Sequence, residues 1–289
     1  MNIRRSKLFA ESWNVAIRRK KQGDILTDLE TPFKILKNNF SSWCADPFIF
    51  EYKQKTYIFA EIYDYRLHRG TIGYTILNEG KIGKWKQVIV EEYHLSYPFI
   101  FQQNEEIYII PESSQNNSLH IYRAVDFPNK WKKEAVLADD RNFVDTTLFQ
   151  MENQVYAFTT DVSSYEKQKE YILKLNDEGI EKINEIPVND FKTSRMGGKV
   201  FQKENKRIKV CQDCHKTYGG GLIFKEFRKD DLEGNTIQHI LPESLIFDKK
   251  ILIDGIHTYN ANGEYEIIDV KTRRFNLLNL ICRFINKTR

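Results

Sequence analysis

The chain has 289 residues, of which 41% are hydrophobic, 13% aromatic and 29% charged, which is enough apolar material for a packed core and argues against disorder. Its formal net charge of +4 is small and its lysines and arginines are scattered, which excludes a nucleic-acid groove built on a basic face. Length alone allows one large β domain or two ordinary domains.

The N-terminal stretch MNIRRSKLFAESWNVAIRRKK is basic but is not followed by the apolar run of a signal peptide, and no stretch approaches a membrane span, so a cytoplasmic location is expected. A short strand is predicted around Trp13 to Ile17. The four cysteines, Cys44, Cys211, Cys214 and Cys282, read as reduced thiols rather than a disulfide framework.

From residue 45 onward the chain repeats itself. ADPFIFEYKQKTYIFAE (45–61) returns as SYPFIFQQNEEIYIIPE (96–112), aligning Pro47 with Pro98, Tyr57 with Tyr108 and Glu61 with Glu112. Weaker copies follow at 144–160, 197–213 and 255–270. Each copy alternates apolar and polar residues on both sides of a polar turn, the pattern of a β-hairpin. Further short strands stand between copies, such as Gly73 to Leu77 and Leu119 to Arg123. Four strands in about fifty residues make a propeller blade, so residues 1–270 are predicted to form an all-β, five-bladed β-propeller. The strand at Trp13 to Ile17 has no copy of its own and is expected to close the ring as the outer strand beside the last hairpin. A β-sandwich is the alternative.

In such a blade the first and last residues of the inner hairpin reach the same face. Those positions carry Asp46, Tyr97, Asp145 and the Arg195 to Gly198 turn at the starts, and Glu61, Glu112, Thr160 and Gln212-Asp213 at the ends, with His257 entering from the fifth copy. Carboxylates crowded on one rim repel one another unless they share protons, bind a cation or bind a polyhydroxylated ligand; such crowding splits their pKa values, and glycosidic chemistry needs that split. Asp46, Asp145 and Glu112 are therefore candidate catalytic carboxylates. Glu61, Tyr97, Arg195, Asp213, Tyr218 and His257 are candidate sugar-binding residues, with Trp43, Phe48, Tyr97, Phe99 and Tyr218 offering flat faces for a sugar ring. No cofactor is called for, although a divalent cation among the rim acids is compatible with the pattern. Asp46-Pro47 also reads as a turn, Glu61 and Glu112 as solvated strand ends, Arg195 as a salt-bridge partner of a rim acid, and His257 as a filler of the axial channel.

The string Cys211-Gln-Asp-Cys214-His215 has the spacing of a haem attachment sequence or half a zinc site, but it lacks the export signal and the second ligand pair those uses need. Tyr218-Gly-Gly-Gly221 is no phosphate loop, because no Lys-Ser/Thr follows it. Residues 271–289 change character. Leu277, Leu278, Ile281, Phe284 and Ile285 recur at helical spacing between basic ends, which predicts an amphipathic helix suited to an anionic membrane surface, to the propeller's flank or to a dimer interface.

Taken in order, the ADPF start, the FAE and PE strand ends, Asp145-Thr146, Arg195-Met-Gly-Gly198 and GIHTYN resemble the propeller domain at the N-terminus of plant glucosamine inositolphosphorylceramide transferases. That domain also occurs in bacterial surface-polysaccharide enzymes. The resemblance runs from about Trp13 to about Val270 and implies a glycan-building enzyme, a glycosyltransferase acting at the cytoplasmic membrane face on a phosphate-activated sugar donor and a glycan acceptor. In that reading Asp46 is the base, Arg195 holds donor phosphate, and Glu61, Glu112, Asp145 and Asp213 bind hydroxyls or tune Asp46. More distantly the arrangement is similar to five-bladed arabinanase- and xylosidase-type glycoside hydrolases, in which an Asp on the first blade is the base and an Asp on the third tunes pKa, as Asp46 and Asp145 would here. The acid Glu of that group has no counterpart at the fourth copy, where Arg195-Met-Gly-Gly198 stands. An intracellular glycoside hydrolase or phosphorylase and a non-catalytic carbohydrate-binding propeller remain the alternatives.

Overall fold

The computed structural model describes residues 9–21, 23–163, 169–176, 179–186 and 190–275. They form five antiparallel sheets arranged as the blades of a propeller. Blade I holds strands Ser42–Tyr52, Lys55–Asp64 and Arg69–Asn78, its outer edge shared by Lys81–Ile82 and Lys86–Ile89. Blade II runs from Ser96–Gln103 through Glu106–Glu112 and Ser118–Asp126 to Lys130–Asp139, and blade III from Phe143–Met151 through Gln154–Asp161 and Lys169–Asn176 to Gly179–Ile186. Blade IV comprises Phe201–Lys203, Lys206–Asp213, Gly221–Arg228 and Asp231–Ile240.

Blade V closes the ring with strands from both ends of the chain. Its order is Tyr259–Ala261, Tyr265–Phe275, Phe9–Arg19, Lys34–Ile35. The strand containing Trp13 pairs along its whole length with Tyr265–Phe275, from Phe9 opposite Phe275 to Arg19 opposite Tyr265. It is the third strand rather than the outermost, because Lys34–Ile35 adds a short strand outside it. The sheet also continues past residue 270 to Phe275, and the predicted helical segment beyond, 276–289, lies outside the described residues.

In blades I to III the hairpins turn on two residues of positive φ, Lys53-Gln54, Asn104-Glu105 and Glu152-Asn153, whose backbone twist matches that of the flanking strands. Aromatic side chains fill the space between blades. Phe59 meets Trp131 edge-on at 5.8 Å between blades I and II, Phe149 and Phe158 meet Phe227 between III and IV, and Phe224 meets Tyr259 between IV and V. Two buried ion pairs lie among these layers. Lys209 of blade IV reaches Glu170 of blade III at 2.8 Å, its ammonium 4.5 Å from the Phe158 ring centroid. Arg18 meets Glu266 at 2.7 Å inside the closing blade. Both pairs are buried, so removing one partner strands the other charge away from water.

Candidate functional site

Three inner strands carry the same irregularity. Pairing slips between Ala45 and Phe48, between Ser96 and Phe99, and between Val144 and Thr147, and the first residue in each bulge, Asp46, Tyr97 and Asp145, has a φ of 49°, 44° and 52°. Left-handed backbone at a non-glycine residue costs on the order of 1 kcal/mol or more, and here the bulges re-aim three side chains toward the axis. Strained backbone at matching positions of successive blades thus builds the upper mouth.

On one side of the axis, Asp46 faces His257 and Asp269. His257 Nδ1 lies 2.6 Å from Asp269 Oδ2, and its Nε2 lies 3.5 Å from Asp46 Oδ1. Asp269 also accepts the backbone N–H groups of Asp46, His257 and Thr258, while Asp46 accepts the Thr258 hydroxyl at 2.8 Å and the Tyr97 N–H at 3.1 Å. Trp13 stacks on the imidazole with centroids 4.1 Å apart. One ligand atom from each of Asp46, His257 and Asp269 falls within 4.8 Å of the others, close enough for a metal ion. Their oxygens are already committed to N–H and O–H donors, however, and the imidazole stands between the carboxylates as the protein's own cation, so the donor set fits an ion-pair triad better than a metal centre.

Across the mouth, Arg195 Nε lies 2.7 Å from Asp145 Oδ2 and its second arm 3.5 Å from Glu112 Oε2. Gln212 donates to Asp145 at 3.1 Å, and the Ser114 hydroxyl donates to Glu112 at 2.9 Å. The guanidinium lies 5.2 Å from the Tyr218 ring centroid, and that ring meets His257 edge-on. The salt-bridge alternative for Arg195 is thus the arrangement found.

Glu61 stands apart from both groups. Its Oε1 lies 3.3 Å from His94 Nε2, and the Gly70 N–H donates to His94 Nδ1 at 3.0 Å, which leaves the imidazole proton on the nitrogen facing Glu61. Position 70 must be glycine for this, since a Cβ there would stand 2.5 Å from Glu61 Oε1 and 2.4 Å from the Leu95 carbonyl oxygen.

These surroundings drive the carboxyls apart. Burial raises Glu61 well above the usual range, with Asp46 and Glu112 adding to the effect. Burial likewise raises Asp46 against the pull of His257, raises Glu112 against Arg195, and brings Asp145 to about 6 despite Arg195. Asp269 goes the other way: burial opposes its charge, but His257 and the backbone donors outweigh it and hold it ionised. His257 is raised in turn, since Asp269 and Asp46 overcome the cost of burying its ring. One mouth therefore carries carboxyls pushed up by burial beside one pulled down by His257 and backbone donors, the separation that paired acid and base work needs.

Eight of the nine sequence-predicted residues belong to this constellation, although their parts differ. Tyr97 contributes its backbone N–H at the mouth, while its ring is fully buried in the channel, where its oxygen accepts the Gly198 N–H at 2.7 Å and meets the Thr147 hydroxyl at 2.8 Å. Tyr218 is 46% exposed. Asp213 is the one turned aside: its carboxylate is taken by His215 and His239, at 2.6 and 2.9 Å, and its neighbour Gln212 is what reaches Asp145. Cys211 is a buried free thiol of the core. Asp269 escaped the sequence reading because it stands alone between Ile268 and Val270 in a strand pattern. Trp13 and His94 lie outside the repeated hairpin starts and ends, and only the ring closure and the Gly70 contact bring them in.

Fold and mouth together define a five-bladed propeller with an acid-lined axial site. Residues 31–250 match the family described as glucosamine inositolphosphorylceramide transferase 1, N-terminal, and the chain belongs to that family. Among curated relatives, glucosamine inositolphosphorylceramide transferase 1 of Oryza sativa subsp. indica is 31% identical over 189 residues and that of Arabidopsis thaliana 32% over 190, covering 62% of this chain and 25% of each relative. The chain thus spans about a quarter of the length of these relatives. Among solved structures, an α-L-arabinofuranosidase from Podospora anserina superposes with a TM-score of 0.57 at 11% identity, covering 85% of this chain and 95% of that one. An α-L-arabinanase mutant of Cellvibrio cellulosa gives 0.56 at 11%, covering 80% and 90%. These similarities are of fold.

Proposed function

We propose that the mouth is a carbohydrate site and that the propeller serves glycan transfer from a phosphate-activated sugar donor to a glycan acceptor. The observation that carries this reading is the buried cluster in which His257 stands between Asp46 and Asp269, 3.5 Å and 2.6 Å away, with the Glu61 carboxyl raised by burial nearby and Asp269 held low. In the proposed step Asp46 takes the proton of the acceptor hydroxyl. That oxygen bonds to the anomeric carbon of the donor, and the bond from this carbon to the phosphate oxygen breaks, its electron pair leaving with the phosphate. Asp145 and Glu112, fixed by Arg195, accept hydrogen bonds from sugar hydroxyls, and Tyr218 offers its exposed ring to a sugar's C–H face. The transferase name borne by the relatives supports transfer. The proposal includes a cytoplasmic location at an anionic membrane surface, supported by the basic amphipathic sequence of residues 276–289.

A second reading is glycoside hydrolysis, with Glu61 protonating the leaving oxygen and Asp46 activating water. What favours it is the burial of Glu61, which raises its carboxyl well above the usual range and suits it to be the acid that the fourth repeat lacks. A screen of the purified protein against nucleotide sugars and oligosaccharides, read by thermal shift and by product release, separates the two. Stabilisation by one nucleotide sugar, with release of its nucleotide when a glycan acceptor is added, supports transfer. Cleavage of oligosaccharide with no response to any nucleotide sugar replaces transfer by hydrolysis.

A further inference from the structure

The string Cys211-Gln-Asp-Cys214-His215 ends at the rim of the mouth, beside the segment that carries Arg195. That segment, residues 192–197, lies along the upper half of strand Lys206–Asp213, on the edge that Phe201–Lys203 occupies lower down. Three N–H donors join the two: Cys214 to the Lys192 carbonyl at 2.9 Å, Gln212 to the Arg195 carbonyl at 2.8 Å, and Gly197 to the Val210 carbonyl at 2.8 Å. Arg195 is thereby set on the inner edge of blade IV, from which it reaches Asp145 and Glu112. The Asp190 carboxylate stands at the start of the segment, where its Oδ1 accepts the Lys192 N–H at 3.0 Å.

His215 ties segment and strand together at this end. Its Nδ1 lies 2.6 Å from Asp213 Oδ1, and its Nε2 meets Asp190 Oδ2. A neutral imidazole has one N–H and serves one carboxylate, whereas the imidazolium donates to two, so this geometry calls for a charged ring. The hydrogen bond to Asp213 raises the ring above its ordinary value; burial opposes this, and the charge of Asp190 adds to the rise. Asp213 moves the other way: burial opposes its charge, but the His215 backbone N–H, at 2.9 Å, and the neighbouring imidazoles outweigh it. Among the described residues, the titratable groups facing the ring are Asp213, Asp190 and, beyond Asp213, His239, whose Nε2 lies 2.9 Å from Asp213 Oδ2.

Tyr218, three residues further on, is held by other means. Lys271 donates to the Thr217 hydroxyl at 3.2 Å and to the Tyr218 carbonyl. Gly219, with a φ of 60°, presses against blade V, where a Cβ on it would stand 2.8 Å from the His257 Cβ.

We propose that His215 is a positioning residue whose imidazolium clamps Asp190 to Asp213 and so fixes the Arg195 segment on blade IV. The clamp opens when the ring loses a proton, while the Tyr218 side of the mouth stays in place. Because the folded value lies above the ordinary one of about 6.5, the clamp is fully formed below that pH and is lost as pH rises through the folded value. Its consequence for binding rests on the mouth being a carbohydrate site; the clamp itself does not.

Imidazole nitrogen NMR and amide hydrogen exchange test this in the wild type, His215→Gln and Asp190→Asn. In the wild type both His215 ring nitrogens are expected to carry protons up to a midpoint above that of a free histidine, and Asp190→Asn is expected to lower the midpoint. After correction for the intrinsic rise with pH, exchange of the Cys214 amide should quicken about threefold through that midpoint, the scale of a half-exposed ion pair. The Leu95 amide, which bonds the Gly70 carbonyl in blade I at 3.1 Å, should show no step. In His215→Gln the Cys214 step should vanish. A His215 midpoint at or below the free value, a Cys214 amide that ignores it, or an equal step in His215→Gln overturns the clamp. A fall in sugar affinity that follows the Cys214 step in the wild type and is absent from His215→Gln ties the clamp to the mouth. A clamp that titrates as described in a protein that binds no carbohydrate sinks the carbohydrate reading and leaves the clamp standing. The His215 and Asp190 side chains are 47% and 38% exposed, so both variants are expected to fold; should His215→Gln not, the wild-type titration and Asp190→Asn still decide.

Discussion

Arg195 and Asp145 stand 2.7 Å apart across the boundary between blade IV and blade III, and the same guanidinium reaches Glu112 of blade II. One cation therefore serves two acids and three blades. Arg195→Met leaves two buried carboxyls facing each other, and breaking such an arrangement costs about 3–5 kcal/mol. The loss is expected in urea denaturation at pH 8 and should shrink at pH 5, where the unpaired acids take up protons. An equal loss at both pH values would show that packing, not charge, is what Arg195 supplies.

Asp145 itself titrates near pH 6 in the folded chain. Because its pKa is raised above an unfolded value of about 4, the stability this group contributes is fully present below that value and is lost as pH rises through about 6. Relative to Asp145→Asn, the wild type should lose stability over that window and change little above pH 7. Carboxyl NMR of the Asp145 side chain, expected to show a midpoint near 6, checks the same assignment without unfolding.

Tyr97→Phe removes the oxygen that accepts the Gly198 N–H in the channel and leaves that donor buried without a partner. Such an orphan costs about 1–3 kcal/mol. The variant should be destabilised by that amount while any sugar affinity of the mouth persists, since the N–H that Tyr97 gives to Asp46 is backbone.

Lys209→Met isolates Glu170 between blades III and IV and is expected to cost about 3–5 kcal/mol, whereas Lys209→Met combined with Glu170→Leu should recover most of it. A double-mutant cycle by urea denaturation measures the coupling.

Much of this architecture was legible in the chain because propeller hairpins repeat their own spacing. Pro47 and Pro98, Glu61 and Glu112 mark the same places in successive blades, and from them the rim followed. What escaped the reading depends on contacts that no repeat encodes. Lys34–Ile35 is only two residues long, too short for a periodic signal, so the sequence pattern alone puts the Trp13 strand outermost. Asp269 owes its role to ring closure, which brings the fifth hairpin beside the first. Asp213 and Gln212 show the limit of period-two reasoning: adjacent residues point to opposite faces, and only the register with Gly221 and Leu222 decides which one faces the axis.

The most direct test of the acidic mouth as a site of glycan transfer is turnover by Asp46→Asn, measured beside the wild type with the donor and acceptor that the screen identifies. The substitution keeps the shape of the side chain and removes the base. The account predicts an Asn variant that melts as a folded propeller and still binds donor, yet releases nucleotide at least about 100-fold more slowly, the range that a positioned base supplies. Wild-type turnover in a folded Asp46→Asn protein would contradict it.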